Sequence, residues 1–113
     1  MNTWIVCITE SEAKIYHCEQ SDQSLTFVHH FLRQEDPEHD FYGILADEME
    51  YACGEGTTGR LILLGQPMVI SQLCQKLTLR VREHIVGIIP RSALESQLDK
   101  LQALCIPYMK LSA

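Results

Sequence analysis

Several features are scarce or missing in this sequence, and each absence narrows the reading. The N-terminal stretch MNTWIVCITESE has no basic flank, and its apolar run of about six residues falls far short of the about 20 that a membrane span needs. It reads as a strand, and the expectation is a soluble, cytoplasmic protein with no membrane partner. Basic residues are in the minority: nine Lys and Arg stand against fifteen Asp and Glu, a net charge of -6. A broad grip on nucleic acid needs a basic face to displace counterions, so only a local patch remains open to it. The five cysteines, Cys7, Cys18, Cys53, Cys74 and Cys105, form no C-x-x-C pair. They read as reduced thiols packed as small hydrophobes rather than as a redox or metal site. With 113 residues and 46% hydrophobic content, the chain buries enough apolar surface to fold as one domain over residues 1–113, without a metal or disulfide staple.

What is present is a change of hydrophobic period part-way along the chain. Trp4 to Thr9 is apolar on both alternating faces, the pattern of a strand buried on two sides. Ala13 to Cys18 and Leu25 to Phe31 are further strands on either side of a polar run suited to a hairpin turn. A turn centred on Ser21-Asp22 sets Tyr16 opposite Phe27 and Ile15 opposite Val28. Asp36-Pro37-Glu38 then reads as a helix start, and Phe41, Ile44, Leu45, Met49, Ala52 and Cys53 as its apolar face. Gly54 and Gly56 stop that helix. Leu61 to Leu64 is a buried strand. A second helix follows Pro67, with Ile70, Leu73, Cys74, Leu77 and Val81 inward. Ile85 to Ile89 is another buried strand, ended by Pro90. Ser92-Ala93-Leu94-Glu95 is a capping box opening a third helix buried through Leu94, Leu98, Leu101 and Cys105. Ile106-Pro107 breaks it, leaving Tyr108 to Leu111 as an edge segment or tail. The order βββαβαβα predicts an α/β fold: a mixed five-stranded sheet with helices on its faces, in the ribonuclease-H-like arrangement.

Candidate chemistry is weighed against that frame. In GEGTTGRLILLG, Gly54, Gly59 and Arg60 stand at the G-x-x-x-x-G-K spacing of a phosphate-binding loop, with Arg in place of Lys. Such a loop must run strand, glycines, helix; here the order is helix, glycines, strand, and Leu61 stands where a magnesium-binding hydroxyl is needed. No nucleotide or other cofactor is expected. A two-metal nuclease needs converging carboxylates, yet Trp4 to Thr9 carries no acid and Leu64-Gly65-Gln66 carries none either. Asp47, Glu48 and Glu50 read as the rim of an amphipathic helix, which leaves a degenerate nuclease as the least favoured reading. Among the five histidines, His29 and His30 point to opposite faces of a strand. His17 and His29 share a side with no third ligand, His39 sits in a helix's first turn and His84 precedes a strand, so no metal site is expected. No G-x-S-x-G elbow occurs. One asymmetry remains: Lys76, Arg80, Arg82 and His84 cluster at the end of the second helix, with Arg91 after the next strand. Cations are favoured at a helix C-terminus in any case, and the same cluster also suits an anionic partner.

The segment WIVCITESEAKIYHCE, with its Ala13-Lys14-Ile15-Tyr16, resembles the opening of the bacterial host-attachment protein family. RLILLGQPMVISQLCQKLTLRVREHIVGIIPRSALESQL is similar to that family's second half. The family is related to the middle domain of archaeal and eukaryotic peptide-chain release factors, which implies the same element order and a translation- or ribosome-associated place. The chain has no Gly-Gly-Gln, so the resemblance does not extend to peptidyl-tRNA hydrolysis, and its segment from Phe31 to Asp36 is short for the family. The expectation is a small module that binds rather than catalyses, contacting ribosomal RNA or a protein through Lys76, Arg80, Arg82 and Arg91. The alternative is a homo-oligomeric interaction module that uses the His29-His30 strand edge, with no RNA contact.

Overall fold

The computed structural model describes residues 2–19, 25–36, 38–56, 59–90, 103 and 105–107. Five strands, β1 (Thr3–Ile8), β2 (Glu12–Cys18), β3 (Leu25–Leu32), β4 (Arg60–Gly65) and β5 (Ile85–Pro90), form one sheet in the order β3-β2-β1-β4-β5. The first three make the expected antiparallel meander, and β1, β4 and β5 run parallel. Every residue of β1 and of β4 is buried, as their uninterrupted apolar pattern requires of central parallel strands. Thr9 turns β1 into β2: its Oγ1 accepts from the Glu12 amide at 3.1 Å, and its own N–H donates to the Glu12 carbonyl at 2.8 Å.

Helices α1 (Phe41–Gly54), α2 (Pro67–Cys74) and α3 (Leu79–Arg82) cover one face. Trp4, Val6, Ile8, Ile15, Leu61 and Leu63 pack there against Leu45, Met49, Leu73 and Val81. The opposite face collects Ile5, Cys7, Tyr16, Cys18, Ile62, Leu64 and Ile89 around Cys105, whose helical neighbour Ile106 also packs there. Helical cover therefore reaches both faces.

The details depart from the sequence pattern in instructive ways. Asp40, not Asp36, caps α1, accepting from the Gly43 amide at 3.0 Å. Asp36 instead closes a turn before the helix: its carboxylate takes the Glu38 amide and its carbonyl the His39 amide, both at 2.9 Å. His39 therefore precedes α1 rather than sitting in it. Tyr42 and Ala46 are buried on α1, whereas Ile44 is 43% exposed, because the stripe follows Phe41-Leu45-Met49 and drifts towards the residue after each. The helix runs through Gly54, and Gly56 takes the left-handed conformation, φ 75°, in the turn beyond it.

The single helix expected from Pro67 to Val81 is two. Thr78 adopts an extended backbone and caps α3, its Oγ1 accepting from the Val81 amide at 3.3 Å. Leu77 and Val81 still point inward, while Cys74 is only half-buried. Tyr16 pairs with Phe27 as expected, but Ile15 pairs with His29, because a bulge holds Val28 out of register. A second bulge, on β5, skips Val86. β5 lies at the sheet margin and is mostly half-buried rather than enclosed. Pro107 is helical instead of ending its helix. The Ser21-Asp22 turn, Pro37, the 92–95 capping box with Leu94, Leu98 and Leu101, and residues 108–111 lie outside the described residues.

Leu45→Ala should cost about 2–5 kcal/mol in chemical denaturation, since it empties a fully buried site. Ile44→Ala, one residue earlier on the outward side, should stay within about 0.5 kcal/mol.

Candidate functional site

In a sheet of this kind ligands ordinarily enter outside the carboxyl ends of the parallel strands. Here that rim carries Thr9, Glu10, Ser11 and Gln66 around a shallow cavity of about 200 Å³. The gap between β1 and β4 is closed by backbone: a Cβ on Gly65 would stand 2.5 Å from the Ile8 carbonyl oxygen. β1 and β4 themselves end without a carboxylate, and the acid at this rim, Glu10, lies two residues beyond β1. Of the helix acids weighed for nuclease chemistry, Asp47 is exposed. Glu48 reaches His29 at 3.3 Å, and Glu50 accepts from Thr78 Oγ1 at 2.7 Å. They face different partners and do not converge.

A second, open cleft of about 500 Å³ is lined by Ser11, Arg33, Gln34, Glu35, Asp36 and His39. Arg33 is held in place there. Its guanidinium lies over the Phe41 and Tyr42 rings at 5.8 and 5.3 Å, and Nη1 donates to the Glu10 carbonyl at 3.0 Å. Sequence pattern gave no warning of Arg33. It follows an apolar strand with no motif around it, and its aromatic neighbours come from the next helix.

Lys76, Arg80 and Arg82 lie on the segment that joins and forms α2 and α3, but each has its own partner, and those of Lys76 and Arg80 lie ten residues apart along α1 and its cap. Lys76 lies 3.4 Å from Asp40, Arg80 lies 3.7 Å from Glu50, and Arg82 Nη2 donates to the Cys74 carbonyl at the end of α2. His84 Nδ1 is 2.7 Å from the Arg80 carbonyl. The Arg82 contact is the helix-end role expected of a cation there. Arg91 lies outside the described residues. The patch is thus exposed cation interleaved with carboxylate rather than unbroken positive surface.

His29 and His30 face opposite sides of β3, paired to Glu48 at 3.3 Å and Glu12 at 3.0 Å. His17 lies on the His29 side, opposite Trp4 and Thr26. Among the described residues no three His, Cys, Asp or Glu side chains are grouped to hold a metal ion. None of the five cysteines is joined in a disulfide. Burial pushes Cys53 and Cys74 above the usual thiol range and Cys105 up to about 12, the opposite of what a thiolate nucleophile requires. Arg60, the basic residue of the glycine loop, is buried at the start of β4 opposite Thr3, and the order around it is helix, loop, strand.

No protein-family model matches the chain, and no curated protein matches its sequence. In three dimensions it is similar to Pelota from Archaeoglobus fulgidus, with TM-score 0.67 at 14% identity over 98% of this chain and 34% of that one. It is similar to an archaeal translation termination factor, with TM-score 0.65 at 12% identity over 97% and 36%. In fold it resembles these release-factor domains. A third likeness, TM-score 0.56 at 6% identity, is to T. thermophilus RuvC solved with a Holliday junction substrate, over 100% of this chain and 96% of that one. The chain spans about a third of the length of Pelota and of the termination factor. Among the described residues no helix is long and apolar enough to cross a membrane.

Two outcomes test this geometry. Gly65→Ala should cost about 1–3 kcal/mol in thermal or chemical denaturation, because the added carbon meets backbone that cannot turn aside. The Gly43 amide holds the Asp40 carboxyl below its ordinary value, assisted by Lys76. A lowered folded value means that the support is complete above the ordinary carboxylate range and is lost as pH falls through the folded value. The exchange protection of the Gly43 amide should therefore drop in acid, and Asp40→Ala should remove that pH step.

Proposed function

We propose that this chain is a small docking module of the translation-associated class, one α/β domain that binds a partner and catalyses nothing. The observation that carries the reading is the extent of the fold likeness. Nearly all of this chain superposes on about a third of Pelota and of the archaeal termination factor. It corresponds to one portion of larger proteins. The resemblance of the Trp4 to Glu19 segment to host-attachment proteins fits the same reading.

The absence of Gly-Gly-Gln, the acid-free ends of β1 and β4 and the raised thiols all favour binding over chemistry. For the contact surface we assign Lys76, Arg80, Arg82 and Arg91, facing ribosomal RNA. Asp40 and Glu50 occupy Lys76 and Arg80 in the free protein, but exposed pairs of this kind are worth about 0–1 kcal/mol. A phosphate that displaces the carboxylates loses little in doing so, and the counterions it releases supply the affinity.

Co-sedimentation with ribosomes tests this reading. The native chain should pellet with them, and binding should weaken steeply with salt. The variant Lys76→Gln, Arg80→Gln, Arg82→Gln, Arg91→Gln should stay in the supernatant, and Lys76→Gln with Arg80→Gln alone should flatten the log–log salt slope by about two. Unchanged sedimentation of the fourfold variant, with folding confirmed by circular dichroism, removes the assigned surface. A native chain that never pellets removes the ribosome.

A further inference from the structure

Among the described residues β3 presents one side of its backbone to no strand: it ends the sheet, paired on its other side to β2. Edge strands of soluble proteins are ordinarily kept short, charged, broken by proline or twisted by a bulge, because an open ladder recruits another chain, and of these devices β3 has only the bulge at Val28. LTFVHHFL is eight residues long and contains no Asp, Glu, Lys, Arg or Pro. Phe27 and Leu32 stand 53% and 60% exposed on it. Such a segment is a liability unless something covers it.

The bulge at Val28 indicates what fits. Val28 and Phe31 pack towards α1, His29 reaches Glu48 on that helix, and Thr26 lies opposite His17, itself opposite Trp4 of the same core. On the other face Leu25 packs with the second core and Phe27 meets the Tyr16 ring edge-on at 5.8 Å. His30 pairs there with Glu12, and Leu32 lies opposite Glu12. An unbulged strand laid antiparallel on its own copy matches faces in every second register and selects none. With the extra residue, the register centred between Val28 and His29 is the one that matches faces pair by pair along the whole strand. It sets Leu25 against the partner's Leu32, Phe27 against the partner's His30, Thr26 against the partner's Phe31 and Val28 against the partner's His29.

We infer that β3 is a self-recognition edge, on which a second copy of this chain adds antiparallel in that register to join two sheets across a two-fold axis. Charge permits it. The chain carries -6, but the strand itself has no formally charged residue, and Glu12 and Glu48 on either side are engaged by His30 and His29. The pairing buries the two exposed apolar side chains of each copy and uses none of Lys76, Arg80 and Arg82, so it stands or falls apart from the ribosome reading.

Sedimentation equilibrium from micromolar to millimolar chain tests this. A monomer–dimer equilibrium is expected, with backbone amide shifts on dilution concentrated in residues 25–32. Phe27→Lys with Leu32→Lys places charge in the seam while altering only exposed positions. It should raise the dimer Kd by about tenfold or more. Tyr51→Lys, an equally exposed apolar position on α1, should leave the Kd unchanged. A chain that stays monomeric at millimolar concentration overturns the inference. So does a dimer that the double variant leaves intact, or dilution shifts located elsewhere.

Discussion

The parallel pairing of β1 with β4 is the constraint on which the rest of the molecule depends. Thr3 to Cys7 lie opposite Arg60 to Leu64, and no residue of either strand meets solvent. Two adjacent strands with apolar side chains on both faces cannot exist at a margin or under one layer. They demand neighbours on each side and cover above and below. The meander of β2 and β3 supplies one flank and β5 the other. α1, α2 and α3 cover the first face, and the helical segment around Cys105 covers the second. Each fully buried Ile or Leu contributes about 1.5–3 kcal/mol, so this central pair is where the hydrophobic term is concentrated.

The same constraint shapes what the protein offers to a partner. Close approach of Gly65 to Ile8 leaves no room for a side chain there, and the rim beside it holds only a small cavity of about 200 Å³. Functional surface is displaced outward, to the α2–α3 segment with its cation–carboxylate pairs and to the open backbone of β3. The likeness to Pelota and to a termination factor is a likeness of this central architecture. At 12–14% identity it says nothing of which side chains matter. That question rests on the exposed residues, which the core does not dictate.

Much of the fold was legible in advance for a simple reason: period and position of apolar residues report burial directly. Strands buried on two faces, the antiparallel opening and the mixed five-stranded sheet all followed from it. The errors came where short-range signals compete. Asp36-Pro37 and Asp40 both offer acceptor side chains, and only the packing of Phe41 and Leu45 decides which one caps the helix. Thr78 inside an apolar stripe looks continuous with it, because Leu77 and Val81 do point inward; the break shows only in the backbone. The bulge at Val28 leaves the strand pattern readable while shifting every pairing beyond it.

The site was far less legible. Lys76, Arg80 and Arg82 were visible as a cluster in the sequence, but the carboxylate partners of Lys76 and Arg80, Asp40 and Glu50, come from another helix and its cap. By itself the sequence determined the fold class and the buried centre, because these depend on residue type and local period. Only the tertiary structure decided that Lys76 and Arg80 meet carboxylates, that Gly65 has no room for a side chain beside Ile8 and that β3 is left open among the described residues. Each of those is a relation between segments distant in the chain, and one-dimensional pattern carries no distance between them.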